Sequence, residues 1–317
     1  MTTLAYPKID LHQHVWTEPL LDALASRDRL PLVRRAGDPT VLHCAGERPY
    51  AIDLEASSAT RRTALLDDDG ADLAVVALSS PIGIEALPRD EAVELIARHL
   101  DGVLELGDRF AAWGPVATRA PDPADVDRVL ARGCVGVSVP APAITGAAAL
   151  DALRPLLERV QQVDAPLFVH PGSADGDEAP AGEPDWWRAM TGYIGQMQAA
   201  WLTFATRGRA QLPGLRVVFS MLAGGAPLQR ERLAARHGPR IDPRDPLSFY
   251  DASSYGRAMV DAVAAVVGDG QLVYGSDRPV VEPVTSGREP ELMRSAGRLL
   301  GLGGRPLGLG GRRGQAV

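Results

Sequence analysis

Residues 9–16 read Ile9-Asp10-Leu11-His12-Gln13-His14-Val15-Trp16. The run is apolar and carries two histidines two residues apart. Side chains alternate along a strand, so His12 and His14 share a face. Two neutral imidazoles at the end of a buried strand make half of a metal site. Taken alone, the pattern reads equally well as an edge strand with two exposed histidines. The rest of the chain decides between these readings.

Beyond it the sequence settles into a βα rhythm. Leu73-Ala74-Val75-Val76-Ala77-Leu78 is almost wholly apolar, as expected of a strand buried on both faces. A helical pattern follows over 89–106, then a strand over 110–116, a helix over 122–132 and a strand over 134–139. An amphipathic helix over 150–163 leads to a fifth strand, 166–170. After it come a loop rich in Gly, Asp and Pro and a long helix over 185–207. Strands over 215–221, 248–253 and 271–277 alternate with helices starting near 227, over 258–267 and over 290–300. Eight strands alternating with helices predict an α/β fold, a (β/α)₈ TIM-like barrel. Residues 17–56 read as a polar, Pro-rich insertion after strand 1 that covers the barrel mouth. They include a hairpin over 40–50 that turns at Gly46-Glu47. A helix is expected over 57–69. Residues 1–300 therefore form a single domain, and the Gly/Arg-rich segment 301–317 reads as a flexible tail.

The composition bounds the function. A length of 317 residues suits one barrel, and 45% hydrophobic with 23% charged residues is a globular balance with ample core. A net charge of -7 argues against a nucleic-acid partner, and 5% aromatic residues leave no stacking platform for single strands. Cys44 and Cys134 are far apart and form no C-x-x-C, so no disulfide framework is expected. No signal-peptide pattern and no run of about 18 apolar residues stand out, so the expectation is a cytoplasmic protein without a membrane partner. Lys8 is the only lysine. It lies at the start of the first strand, the wrong end for a barrel active site, which argues against Schiff-base, P-loop or bridging-lysine chemistry.

Barrel chemistry is carried at the C-terminal ends of the strands. His12 and His14 stand there on strand one, His170 on strand five and Asp277 on strand eight. Three imidazoles and a carboxylate suit one divalent metal ion, Zn²⁺ being the expected one, with room for a water. Such an ion lowers the pKa of bound water towards about 7 and polarises a carbonyl. Each residue also has a plain structural reading. His170 can be a satisfied core histidine, and Asp277 can cap a helix ahead of Pro279. Asp10 reads as a buried structural partner of a neighbouring strand. The joint pattern is far more specific than any member.

Several stretches carry a resemblance. They are Ile9-Asp10-Leu11-His12-Gln13-His14, Val169-His170-Pro171-Gly172 and Asp185-Trp186-Trp187. Pro213-Gly214-Leu215-Arg216-Val217-Val218-Phe219 with Gly224-Gly225-Ala226-Pro227 adds to them, as does Tyr274-Gly275-Ser276-Asp277-Arg278-Pro279. From about residue 8 to 300 the chain resembles the amidohydrolase superfamily. The matching branch includes aminocarboxymuconate-semialdehyde decarboxylase and related metal-dependent hydrolases. The resemblance implies a TIM-like barrel holding one metal on His12, His14, His170 and Asp277, with Asp277 also taking a proton from metal-bound water. Related branches carry a bridging lysine on strand four; Ser138 and Val139 stand there, consistent with one metal. The branch often forms homodimers.

One departure stands out. The resemblance implies a histidine at the end of strand six, where this chain has Met221, and a shift of one residue supplies only Leu222. A thioether is a weak acceptor and donates nothing. His43 on the insertion and His237 are the spare histidines in sequence reach of the site. Arg278 is expected to clamp a substrate carboxylate through two parallel hydrogen bonds, although a surface salt bridge reads equally well. Of Trp186 and Trp187, one is expected to wall the pocket and the other to pack a helix.

The function expected first is a metal-dependent hydrolase that cleaves a small acidic ester, lactone or amide. Its substrate set would be Arg278, Trp186, Met221 and His43, and Asp277 would be the catalytic base. The alternative is a nonoxidative decarboxylase, a lyase acting on an aromatic or dienoic carboxylic acid. Met221 motivates a third reading, a catalytically impaired or metal-independent barrel.

Overall fold

Eight short strands, each buried along its length, form one parallel sheet in the computed structural model. They are β1 (Ile9–Gln13), β2 (Leu73–Val76), β3 (Phe110–Pro115), β4 (Gly136–Pro140), β5 (Leu167–His170), β6 (Val217–Phe219), β7 (Ser248–Asp251) and β8 (Leu272–Val273). Each pairs with the next in chain order. The ring closes between its ends: Leu11 N donates to Tyr274 O, Asp277 N to His12 O and His14 N to Arg278 O, at 2.9, 2.8 and 2.7 Å. The expected (β/α)₈ barrel is present. The structure describes residues 6–302 apart from 36, 38, 174–179 and 181, so the tail over 303–317 lies outside the described residues.

Burial on both faces explains the continuous apolar runs. Leu11, Val75, Trp113, Phe168, Val218, Phe249 and Val273 form one cluster with Ala296 and Leu299 of the last helix. A larger cluster packs the helices onto the barrel. Burying a large apolar side chain contributes about 1.5–3 kcal/mol, so these layers dominate the stability.

The helices follow local signals. Helix α1 (Glu18–Ala25) buries Leu20, Leu21 and Leu24 and packs against α3 (Arg89–Leu104). Helix α2 (Ala59–Asp69) starts at Ser58, whose side chain accepts from Arg61 N, and ends at Gly70 with φ 64. That is a side-chain cap at one end and a left-handed glycine at the other. Among the described residues, no helix is long and apolar enough to cross a membrane.

Two local expectations differ from the structure. The hairpin expected over 40–50 consists of Thr40–His43 and Tyr50–Ile52, and a third strand, Leu32–Arg35, pairs antiparallel with the first. Leu32 and Val33 are buried while Arg34 and Arg35 are exposed, so the third strand lacks the alternation that marks one in sequence. The helix expected over 185–207 is a segmented one. Wide π turns at Ala189–Tyr193 and Phe204–Gly208 flank the regular helix Ile194–Thr203. Such turns insert a residue into the ladder, which a simple 3.6-residue period does not register.

Candidate metal centre

Four side chains converge, from the ends of β1 and β5 and from the segment after β8. His12 Nε2 lies 3.1 Å from His14 Nε2, and Asp277 Oδ1 lies 3.5 Å from the first and 3.2 Å from the second. His170, the last residue of β5, completes the group; its ring stands 4.9 and 5.0 Å from the other two rings. One ligand atom from each of the four lies within 4.8 Å of every other, and all four residues are buried. A register irregularity in β1 between Asp10 and Gln13 accompanies this convergence.

Each imidazole is held by its other nitrogen. Nδ1 of His12 donates to Asp251 Oδ2 at 2.7 Å, Nδ1 of His14 to Ala77 O at 2.9 Å and Nδ1 of His170 to Pro171 O at 2.8 Å. A carboxylate and two carbonyls accept only, so every Nδ1 carries a proton, and in the neutral ring each Nε2 offers its lone pair inward. Three converging lone pairs and a carboxylate repel one another unless a cation stands between them. Ligands at about 2.0–2.2 Å from a metal in a tetrahedral or octahedral shell sit about 3.0–3.5 Å apart. The spacings of 3.1, 3.2 and 3.5 Å among His12, His14 and Asp277 fall in that range, and the His170 donor lies within 4.8 Å of the other three. The residues fit one divalent ion.

The electrostatics agree. Burial opposes a charge on His12, yet Asp277 and Asp251 outweigh it and push the imidazole up to about 9. Burial also opposes a charge on Asp277, but His12 and the other two imidazoles hold its carboxyl below the ordinary value. His170 is driven well below the usual histidine range by burial and by His12 and His14. The carboxylates stabilise positive charge at His12, and a divalent ion between the four side chains would supply that charge in place of a proton.

Supporting residues complete the geometry. Asp251 ends β7 and accepts from His12 Nδ1, Ser253 N at 3.0 Å and Ser253 Oγ at 2.7 Å. Sequence reading passed over it, although an acid that ends an apolar strand obeys the same placement rule as the ligands. Gly275 makes room for this contact: a Cβ there would stand 2.2 Å from Asp251 Oδ1 and 2.6 Å from His12 Cβ. Asp10 is structural. It accepts from His12 N, Gln13 Nε2 and Ser276 N at 3.2, 2.6 and 3.0 Å and so braces β1 to the chain beyond β8. Below the ligands, Phe168 packs its ring 5.1 Å from His12 and stacks on Trp113 at 5.2 Å.

The remaining expected site residues are placed as follows. Met221 follows Ser220, whose N–H donates to Val169 O at 3.0 Å, so it stands beside the His170 end of β5. It opens a run of left-handed residues, Met221, Leu222, Ala223, Gly224 and Gly225, with φ of 53, 50, 54, 61 and 74. Left-handed backbone costs a non-glycine residue about 1–2 kcal/mol, so strain is concentrated at this strand end. Arg278 pairs with Asp69 of α2 rather than with the ligand cluster. His43 ends the second insertion strand, paired with Leu32. Trp186 is 59% exposed and touches Trp187. The hairpin turn is tied to the segment that follows β5. Arg188 Nη1 donates to Gly46 O, its Nε lies 3.1 Å from Glu47, and Tyr193 Oη donates to Glu47 at 2.5 Å.

No protein-family model matches this chain, and no curated protein matches it in sequence. Solved structures do. The IDCase of Metarhizium anisopliae, in apo form, superposes with a TM-score of 0.76 at 18% identity, over 94% of this chain and 97% of that one. The 5-carboxyvanillate decarboxylase of Novosphingobium aromaticivorans, complexed with manganese and 4-hydroxy-3-methoxy-5-nitrobenzoic acid, gives 0.68 at 16% identity over 95% and 98%. The 2,6-dihydroxybenzoate decarboxylase from Rhizobium gives 0.64 at 17% over 94% and 99%. At these identities the likeness is one of fold. The chain shares, nearly end to end, the barrel on which these decarboxylases are built.

Proposed function

We propose that this chain is a metal-dependent enzyme of the amidohydrolase type that removes CO₂ from a small aromatic or dienoic carboxylic acid. The observation that carries the reading is the buried set of three Nε2 lone pairs and one carboxylate, each imidazole fixed by its own acceptor. The preference for decarboxylation over hydrolysis rests on the barrels of like shape, several of which are named decarboxylases of hydroxylated benzoates.

His12, His14, His170 and Asp277 would hold one divalent ion, Mn²⁺ or Zn²⁺. Once bound, such an ion supplies a fixed positive charge that draws in a carboxylate or polarises water. The residues of the chain do the rest. Asp251 and the two carbonyls keep the imidazoles oriented, so that no lone pair is lost to rotation. In loss of CO₂ a carbon–carbon bond breaks, its electron pair stays on the ring carbon, and that carbon takes a proton. Asp277 is the carboxylate in the cluster that can hold and return that proton. Met221 takes no part in proton transfer, so this reading assigns acid–base work to Asp277.

Hydrolysis of an acidic ester, lactone or amide is the second reading, favoured by the same ligand set with water as the nucleophile. The purified protein, loaded with Mn²⁺ or Zn²⁺, is assayed for CO₂ release from 2,6-dihydroxybenzoate and related hydroxylated benzoates, and for cleavage of carboxylated esters and lactones. One equivalent of bound metal and CO₂ release, both lost in His170→Ala, are expected. Ester or lactone cleavage without CO₂ release moves the assignment to the hydrolase. Metal-free protein with full activity in His170→Ala overturns both.

A further inference from the structure

Outside the barrel wall, α2 and the loop that follows Asp277 border a cleft of about 260 Å³. Arg61, Arg62, Leu65 and Arg278 line it, and acidic groups stand around them. Arg62 is 1% exposed. Its hydrogen bonds among the described residues leave from Nη2 alone, to Gln13 Oε1 at 2.5 Å and to Arg278 O at 3.2 Å. Its Nε is buried with no hydrogen-bond partner among the described residues. Burial lowers Arg62 to about 10, which leaves it charged at neutral pH. Arg278 gives Nη1 to Asp69, and its own Nε is buried without a hydrogen bond. Asp10 and Asp69 offset part of the charge on Arg62, but a buried guanidinium N–H left without an acceptor is costly, and the unused edges of two guanidinium forks match an oxyanion.

We propose that this cleft is a second site, separate from the metal centre, that binds one small oxyanion, a carboxylate or phosphate group, between Arg62 and Arg278. Asp53, Glu55 and Glu282 also line the cleft and limit its affinity. Asp53 is engaged by Ala56 N at 3.0 Å, and the Glu282 side chain is 94% exposed, 4.0 Å from Arg278 Nε. The site reaches β1 directly. Gln13, which accepts from Arg62, lies between His12 and His14 in sequence and donates to Asp10 at 2.6 Å.

Calorimetric titration of the metal-loaded protein with inorganic phosphate, and separately with acetate, tests the site. Saturable binding of at least one of them at one per chain is expected. Phosphate can also bind a metal, so the binding must persist in His170→Ala. Arg62→Met is expected to weaken it about tenfold or more. Removing a buried arginine can unfold the chain, so Leu65→Glu serves beside it. That variant places an internal carboxylate in the cleft and is expected to weaken binding to a similar degree. Glu282→Gln is expected to tighten it. No saturable binding of either probe overturns the proposal. So does binding that disappears in His170→Ala, or that survives unchanged in Leu65→Glu.

Discussion

Asp251 Oδ2 lies 2.7 Å from Nδ1 of His12, with both side chains fully buried and 239 residues apart in sequence. The carboxylate fixes which nitrogen of His12 carries the proton and raises the basicity of the other. Removing it frees the ring and leaves Nδ1–H without an acceptor. Asp251→Ala is expected to weaken metal affinity by about 10–100-fold. Chelator competition against the unaltered protein measures this. An unchanged affinity would separate Asp251 from the metal site.

Glu85 yields a pH prediction. It is buried, accepts from Ser80 Oγ through one oxygen, and its other oxygen has no hydrogen-bond partner among the described residues. Burial raises its pKa to about 7, against partial relief from Ser80. In the unfolded chain the proton leaves near the ordinary value of 4.5. Below that value both states are protonated and the preference of the folded protein for the neutral carboxyl is fully present. As pH rises towards 7 the unfolded chain ionises while folded Glu85 does not, and that stability is lost. The loss is roughly 3 kcal/mol by the time the folded group ionises. Denaturant unfolding between pH 5 and pH 8 is expected to show this slope, and Glu85→Gln to flatten it.

Gly275 tolerates no side chain. A methyl group there would meet Asp251 Oδ1 at 2.2 Å and His12 Cβ at 2.6 Å, so β1 and β7 would have to part. Gly275→Ala is expected to cost about 1–3 kcal/mol of stability and to reduce metal occupancy. Thermal unfolding with and without added metal checks both effects. A variant with native stability and full metal loading contradicts the close approach.

Met221 offers a gain-of-function experiment. With φ 53 it occupies backbone that histidine enters more readily than most residues. Met221→His is expected to fold and to raise turnover on the true substrate. A single well-placed donor is worth about 10²–10³ in rate, which sets the upper range. A fall in turnover would mean that the chemistry has been built around the thioether.

Much of this was legible along the chain. Most barrel strands announce themselves as short apolar runs, because a strand buried on both faces has little polar side to show; β1 and β7 also bury Asp10, His12, Gln13, Ser248 and Asp251. The ligands announce themselves because His12, His14, His170 and Asp277 stand where such runs end. The insertion was less legible. Leu32–Arg35 pairs as a strand without an alternating pattern, and Leu20, Leu21 and Leu24 bury against α3 from a stretch that reads as polar. In both cases packing against a distant partner outweighs the local pattern.

By itself the sequence determined the eight-strand rhythm, the face shared by His12 and His14, and the residue types able to hold a metal, since all three depend on near neighbours and periodicity. Only the tertiary structure decided which nitrogen of His12 and His14 points inward, because Asp251 and Ala77 reach those rings from distant strands, whereas His170 is held by the carbonyl of its own neighbour Pro171. It also decided the fate of two adjacent residues. Asp277, at φ 58, joins the ligand cluster, while Arg278 pairs with Asp69 on α2. Neighbours in sequence are parted there because the chain has left β8 and turns through the left-handed Asp277, so the two side chains diverge, and only the folded barrel gives each its partner.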